Sequence, residues 1–448
     1  MVILSMNSVH RRIVPFWILT SLTFLFISCK TDNPPEQMLF ETPAIADIVM
    51  YEVNVPALTT THNLQGVTAR LDSIEGMGIN TIWLMPIFPI GDLNSFGSPY
   101  CVKDYTSVNP DLGTLSDLQN LVKEAHARNI AVILDWVANH TAWDNNWINN
   151  EGWYSVDGSG NIISPPGTGW NDVADLNFTN ADMRLAMIDA MEYWVSEADV
   201  DGFRCDAADY VPFDFWKQAL DSLKNNTDKN LILLAEGARA DHFTAGFQLN
   251  FSWNFLTSIK NVFSASSYVS SLYTTNTSEY GVVPAGAQKL RFITNHDETN
   301  INPAPNVYGG QEPAVAASVI TYYLEGVPML YCGQEVGVSS AGAYSGSINW
   351  TINPNIYAAY KSVLQFYKNS NALRNGTLQT YANANVAIFK KYTTDETVLT
   401  IVNARNLNQN AAIDVTLQGE WTNAITNEQV TLSSTLDLLP YQYLILKK

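Results

Sequence analysis

Eight short apolar, β-branched runs recur along the chain, and patterns of helical period separate most of them. The runs are DIVMYEVNV (47–55), NTIWLMPI (80–87), NIAVILDWV (129–137), VDGFRCD (200–206), NLILLAE (230–236), GFQLNF (246–251), KLRFIT (289–294) and VPMLYCG (327–333). Between them lie stretches such as NLQGVTARLDSIEGMG, SDLQNLVKEAHARN and FDFWKQALDSLKN, with apolar residues at i, i+3, i+4 and i+7. Alternating strand and helix imply parallel strands. Eight such units over roughly 300 residues predict a (β/α)8 barrel, a fold of about 250 residues before insertions. On this reading the barrel covers residues 47–375.

Two departures from the alternation define further parts. The gap between the third and fourth runs is long, and its excess, about 141–178, is rich in Trp, Asn, Gly and Pro. That composition reads as an inserted excursion rather than a helix. After about residue 375 the helical patterns stop. NVAIFKKYT, TVLTIVNAR, AAIDVTLQ and PYQYLILKK are strand-like, several with partial period-2 alternation, and predict a small antiparallel β-sandwich domain over 376–448.

The first residues stand outside this pattern. Arg11 and Arg12 precede an apolar run from Ile13 to Ser28, too short to span a bilayer comfortably. The run ends in FISC, which resembles a bacterial lipoprotein signal with Cys29 as the residue lipidated after cleavage. The polar, Pro-containing segment 30–46 then reads as a tether, and the expected location is exported and membrane-anchored. Cys101, Cys205 and Cys332 remain, an odd and widely spaced set with neither a disulfide framework nor metal-ligand spacing. A net charge of −19 argues against nucleic-acid or anionic-membrane partners, which require basic patches.

In a barrel of this kind, catalytic groups come from the C-terminal ends of the strands. Four runs close on a carboxylate: DWVANH carries Asp135, GFRCD carries Asp206, LLAEG carries Glu236 and NHD carries Asp297. Converging carboxylates repel, so four at equivalent positions call for a functional reason. Arg204 and Asp206, two apart on an extended strand, face the same way. That pairing predicts an ionised Asp206. Glu236 follows an apolar run, where partial burial beside other carboxylates favours a protonated acid.

The set DWVANH, GFRCD, LLAEG and NHD, with VADLN (173–177) in the excursion, resembles the hallmark segments of the α-amylase family of glycoside hydrolases. The resemblance runs from about Tyr51 to the chain's end. It implies a (β/α)8 barrel with a domain B after strand 3 and a β-sandwich behind. It also implies Asp206 as nucleophile, Glu236 as general acid/base and Asp297 as stabiliser. His140 and His296 would bond the sugar at the cleavage point, with Arg204 beside the nucleophile and Asp135 as a brace. GSPYCVKDY (97–105) resembles the segment whose tyrosine stacks under that sugar, which points to Tyr100. Ser98 and Cys101 stand where many members have His and Asp.

Many relatives bind calcium between barrel and domain B. The matching ligands here are Asn139, Asp175 and the main-chain carbonyl of Tyr210. Asp209-Tyr210, however, replaces the Lys-His pair of many members. The resemblance implies retaining cleavage of α-1,4-linked glucans. The short excursion and the absence of a domain before the barrel favour endo action over α-glucosidase, cyclomaltodextrinase/neopullulanase-type or glucanotransferase activity. A non-catalytic glucan-binding protein is the remaining alternative.

Overall fold

The computed structural model describes residues 40–339 and 346–448, so the lipoprotein-like segment with Cys29 and most of the tether lie outside the described residues. Eight parallel strands close into a barrel. They are β1 (Met50–Val53), β2 (Thr81–Leu84), β3 (Ala131–Trp136), β4 (Gly202–Cys205), β5 (Ile232–Ala235), β6 (Leu249–Phe251), β7 (Gln288–Arg291) and β8 (Val327–Tyr331). Each pairs with the next in sequence, and β8 closes on β1. All eight expected runs are strands, shorter than the apolar patterns that announced them. Short strands suffice because both faces are covered, by the filled interior and by the outer helices.

Local chemistry sets the edges of these elements. The helix Leu115–His126 opens on a capping box between Thr114 and Asp117. The short helix His296–Ile301 follows β7 and is capped by the Asn295 side chain, which accepts from the Glu298 N–H at 2.9 Å. This cap puts His296 and Asp297 in the first turn, above the barrel mouth. Gly202 opens β4 at φ +143°, where a Cβ would stand 1.9 Å from the Ile232 carbonyl oxygen. Only glycine allows β4 to approach β5 that closely at that point.

After β3 the chain leaves the barrel until the helix Ala181–Ala198. The excursion is anchored by a two-stranded hairpin, His140–Ala142 against Val173–Asp175. Beyond the barrel, Thr377–Tyr381, Val386–Tyr392, Thr397–Asn403, Tyr443–Lys447, Gly419–Asn423 and Gln429–Leu432 form a six-stranded antiparallel sheet in that spatial order. A ribbon of Gln409–Ala412 and Thr435–Leu438 packs on it. The period of two sorts the sheet's side chains. Ala387, Phe389, Val398, Val402 and Ile445 join the barrel's core, while Ile388, Leu399, Ile401 and Leu446 meet the ribbon. Cys101, Cys205 and Cys332 are free and buried. Among the described residues no helix is long and apolar enough to cross a membrane.

Candidate active site

Strand register brings the carboxylates to one level. Asp135 on β3 is opposite Arg204 on β4, and Cys205 is opposite Ala235 on β5. Asp206 and Glu236 are therefore the next residues on neighbouring strands. The ladder continues past them, since the Asp206 N–H donates to the Trp136 carbonyl at 2.8 Å and the Glu236 N–H to the Cys205 carbonyl at 2.9 Å. Ala207 then turns in the left-handed region at φ 44°, and its N–H donates to Glu236 Oε2 at 2.8 Å.

Arg204 is the hub and is fully buried. Its Nη1 donates to Asp135 Oδ1 at 2.7 Å and to Asp206 Oδ1 at 3.0 Å, and its Nη2 stands 2.9 Å from Glu236 Oε2. The rings of Trp83, Phe251 and Tyr100 surround its guanidinium, 4.7, 5.7 and 5.9 Å from their centroids. Asp135 is braced from three sides, because its other oxygen accepts from Trp83 Nε1 and from the Tyr100 hydroxyl, each at 3.1 Å.

Burial opposes the ionised state expected of Asp206, and Arg204 favours it. Burial raises its proton affinity well above the ordinary carboxylate range. Arg204 pulls the other way, but Glu236, Asp135 and Asp297 push up again. One guanidinium is shared among three carboxylates, so its charge does not neutralise Asp206 alone. Protons in such a group belong to the cluster rather than to one residue.

The two histidines take opposite charge states. Burial opposes a charge on His296, but Glu52 on β1 outweighs it and the imidazole is pushed up to about 9. Glu52 Oε1 is 2.5 Å from His296 Nδ1 and both side chains are buried. The other ring nitrogen, Nε2, lies 2.8 Å from the Tyr100 hydroxyl and 3.3 Å from Asp297 Oδ1. The Tyr100 and His296 rings stack at 5.4 Å. His140, by contrast, is pushed down to about 4 by burial and is neutral. Its Nδ1 lies 3.2 Å from the Asn139 amide nitrogen. An amide N–H can only donate, which leaves the imidazole proton on Nε2.

These groups share one cleft. Tyr100, His140, Asp206, Glu236, His296 and Asp297 line it, together with Trp170 and Asp172 from the excursion. Glu52, Trp170 and Asp172 are the residues that sequence reasoning missed. A charge in the middle of the apolar run 47–55 was the available signal for Glu52. Trp170 stood in PPGTGW without a pattern to mark it.

The possible calcium ligands come together only in part. His140 pairs with Asp175 across the hairpin, which puts Asn139 near that carboxylate. Burial raises the Asp175 carboxyl, and the Asn139 amide is engaged with His140. The Tyr210 ring lies against Trp170. Among the described residues no group of three or more His, Cys, Asp or Glu side chains gathers for a metal. Calcium favours six to eight oxygens, several of them carboxylate. Of the expected set, Asp175 supplies the one carboxylate; the other oxygens would be the Asn139 amide oxygen and the Tyr210 carbonyl.

The family model "Alpha amylase, catalytic domain" matches residues 55–156 and 168–411. The chain belongs to the alpha-amylase family. Alpha-amylase MalA of Haloarcula japonica is 30% identical over 314 residues, 66% of this chain and 45% of that protein. Alpha-amylase 3 of Dictyoglomus thermophilum is 26% identical over 373 residues, 73% of this chain and 71% of that protein. The chain thus spans less than half of MalA. Among solved structures, a noncanonic maltogenic alpha-amylase, AmyB from Thermotoga neapolitana, superposes with a TM-score of 0.82 at 26% identity. That superposition covers 91% of this chain and 99% of AmyB. The alpha-amylase family is one of glycoside hydrolases, and the barrel with its C-terminal sheet is the architecture expected of a member.

Proposed function

We propose that this alpha-amylase family member is a retaining hydrolase of α-1,4-glucosidic bonds in starch-like glucans or maltooligosaccharides, with endo action. The observation that supports it most directly is the meeting of Asp206, Glu236 and Asp297 in one cleft, with Arg204 touching the first two. In this reading an Asp206 oxygen attacks the anomeric carbon as Glu236 gives a proton to the departing glycosidic oxygen. A glycosyl ester forms on Asp206. Glu236 then takes a proton from water, the water oxygen attacks the same carbon, and the ester bond breaks. A retaining pair needs carboxyls about 5–5.5 Å apart. Neighbouring strands about 4.8 Å apart suit that requirement.

The raised proton affinity of Asp206 adds a condition. Attack requires Asp206 as the anion and Glu236 as the proton donor. Arg204 and the cationic His296 both favour the anion of Asp206. Asp297 would bind sugar hydroxyls and help hold the distorted ring, and Tyr100 would offer a ring face beneath it. His140 would donate from Nε2. Asp135 keeps Arg204 in place. No step passes through a cation.

Reducing-end release from soluble starch tests the reading, beside Asp206→Asn. Mixed-length oligosaccharides released early support endo action, and glucose as sole product overturns it. Retained activity in Asp206→Asn would overturn the nucleophile. Binding of starch without any cleavage would support the glucan-binding alternative. We also propose export with lipid attachment at Cys29. Palmitate labelling that survives in Cys29→Ala would overturn the anchor.

A further inference from the structure

Asp209 follows Asp206 closely in the chain, and both of its carboxylate oxygens are engaged by the turn that follows Glu236. Its Oδ2 accepts from the Ala238 N–H at 3.1 Å and its Oδ1 from the Arg239 N–H at 3.3 Å. His242 Nε2 lies 3.3 Å from the same Oδ1. Gly237, at φ +153°, makes room for this carboxylate, since a Cβ there would stand 2.3 Å from Oδ1. The Arg239 guanidinium ties the two loops a second time, donating to the Asp209 and Val211 carbonyls at 2.9 and 3.1 Å. The Ala208 N–H donates to the Glu236 carbonyl at 2.9 Å.

The barrel holds the same turn from its other side. On β6 the Phe251 N–H donates to the Gly237 carbonyl at 3.1 Å, and Asn250 Nδ2 to the Arg239 carbonyl at 3.2 Å. Lys289, buried on β7, fixes the Asn250 amide by donating from Nζ to its Oδ1 at 2.7 Å. Glu236 thus leads directly into a turn that is bonded on both flanks.

That frame decides which oxygen of Glu236 can deliver a proton. Oε2 accepts from the Ala207 N–H at 2.8 Å and stands 2.9 Å from Arg204 Nη2. A hydrogen on Oε2 would face those donors, and a guanidinium favours bare lone pairs on the oxygen beside it. The transferable proton therefore belongs on Oε1. Misplacing a reacting group by about 1 Å can cost roughly a hundredfold in rate.

We propose that Asp209 is a positioning residue for Glu236: its carboxylate fastens residues 237–239 to the loop after β4 and so holds the acid with Oε1 as the proton-bearing oxygen. This rests on the hydrolase reading above and adds to it the group that sets the acid's aim. In the first step the Oε1–H bond breaks and the proton passes to the glycosidic oxygen. That oxygen leaves with the electron pair of its bond to the anomeric carbon, as an Asp206 oxygen bonds the same carbon.

Two substrates of nearly the same shape separate aim from binding. Phenol is a weaker acid than 4-nitrophenol, so phenyl α-maltotrioside needs the acid's proton more than 4-nitrophenyl α-maltotrioside does. For the full chain, Asp209→Ala is expected to lower kcat/KM for phenol release about tenfold or more. The loss on the 4-nitrophenyl substrate is expected to be several-fold smaller. Asp209→Asn, which keeps the shape and one acceptor oxygen, should show the same ordering with smaller losses. Equal losses on both substrates in both variants, or phenol release unchanged in Asp209→Ala, would overturn the positioning role. A wild-type chain inactive on both aryl substrates and on starch would overturn the hydrolase reading itself.

Discussion

Glu52 is a lone charge on an otherwise apolar strand, and it decides the state of a residue far along the chain. Its hydrogen bond to His296 spans 244 positions of sequence. Burial raises the Glu52 carboxyl, while His296 pulls it back toward ionisation. With His296 at about 9, the cationic form prevails at neutral pH and is lost as pH rises through that value. Activity that uses the cation should therefore fall on the alkaline side near pH 9. Glu52→Gln keeps the shape and removes the counter-charge, so the alkaline limb of kcat/KM should move down by about one unit or more. An unmoved limb would show that His296 is not the group titrating there. On the acid side, the raised proton affinity of Asp206 places loss of activity above the ordinary carboxylate value of about 4.

Among the elements, β4 and its following turn carry the most constraint. Strand, Asp206, left-handed Ala207 and the Asp209 brace fall within residues 202–209; Asp206 is bonded to Trp136 on β3, and the strand, Ala207 and Asp209 are held by β5 or its loop. Gly202→Ala forces a Cβ onto the Ile232 carbonyl oxygen, at 1.9 Å, in a conformation that alanine resists. A loss of about 3 kcal/mol or more in urea unfolding is expected. Retained stability would mean that β4 shifts freely, and catalytic constants in the survivor should then change. The strands themselves were legible, because fully buried parallel strands read as continuous apolar runs. Their ends were less so. KLRFIT extends to 294, yet β7 stops at Arg291. Pairing with neighbours, not hydrophobicity, ends a barrel strand.

For the molecule as a whole, barrel and C-terminal sheet share one core, so stability is sensitive to groups far from the cleft. Glu335 is buried below the end of β8, where the Tyr51 hydroxyl donates to its Oε1 at 2.5 Å and the Gly333 N–H to its Oε2 at 2.8 Å. Burial pushes its carboxyl up to about 7 despite those bonds. A carboxyl raised by folding adds stability below its unfolded value of about 4.3, and that part is lost as pH climbs through 7. The melting temperature should fall between pH 5 and 8 in the wild type, with a flatter profile in Glu335→Gln measured by calorimetry. The thin donor set at Asn139 and Asp175 leads to a further expectation: excess EDTA should leave the melting temperature within about 2 °C. A large drop would place a structural calcium there after all. The order of the strands, the carboxylates at their ends and the β-domain were decided by local pattern, since period and strand-end chemistry are properties of neighbouring residues. Tertiary structure alone decided the sharing of Arg204 among three carboxylates, the Glu52–His296 pair and the Trp170–Tyr210 contact. Charge state and cleft shape depend on burial and on partners brought together from distant parts of the chain, and no stretch of sequence contains those partners.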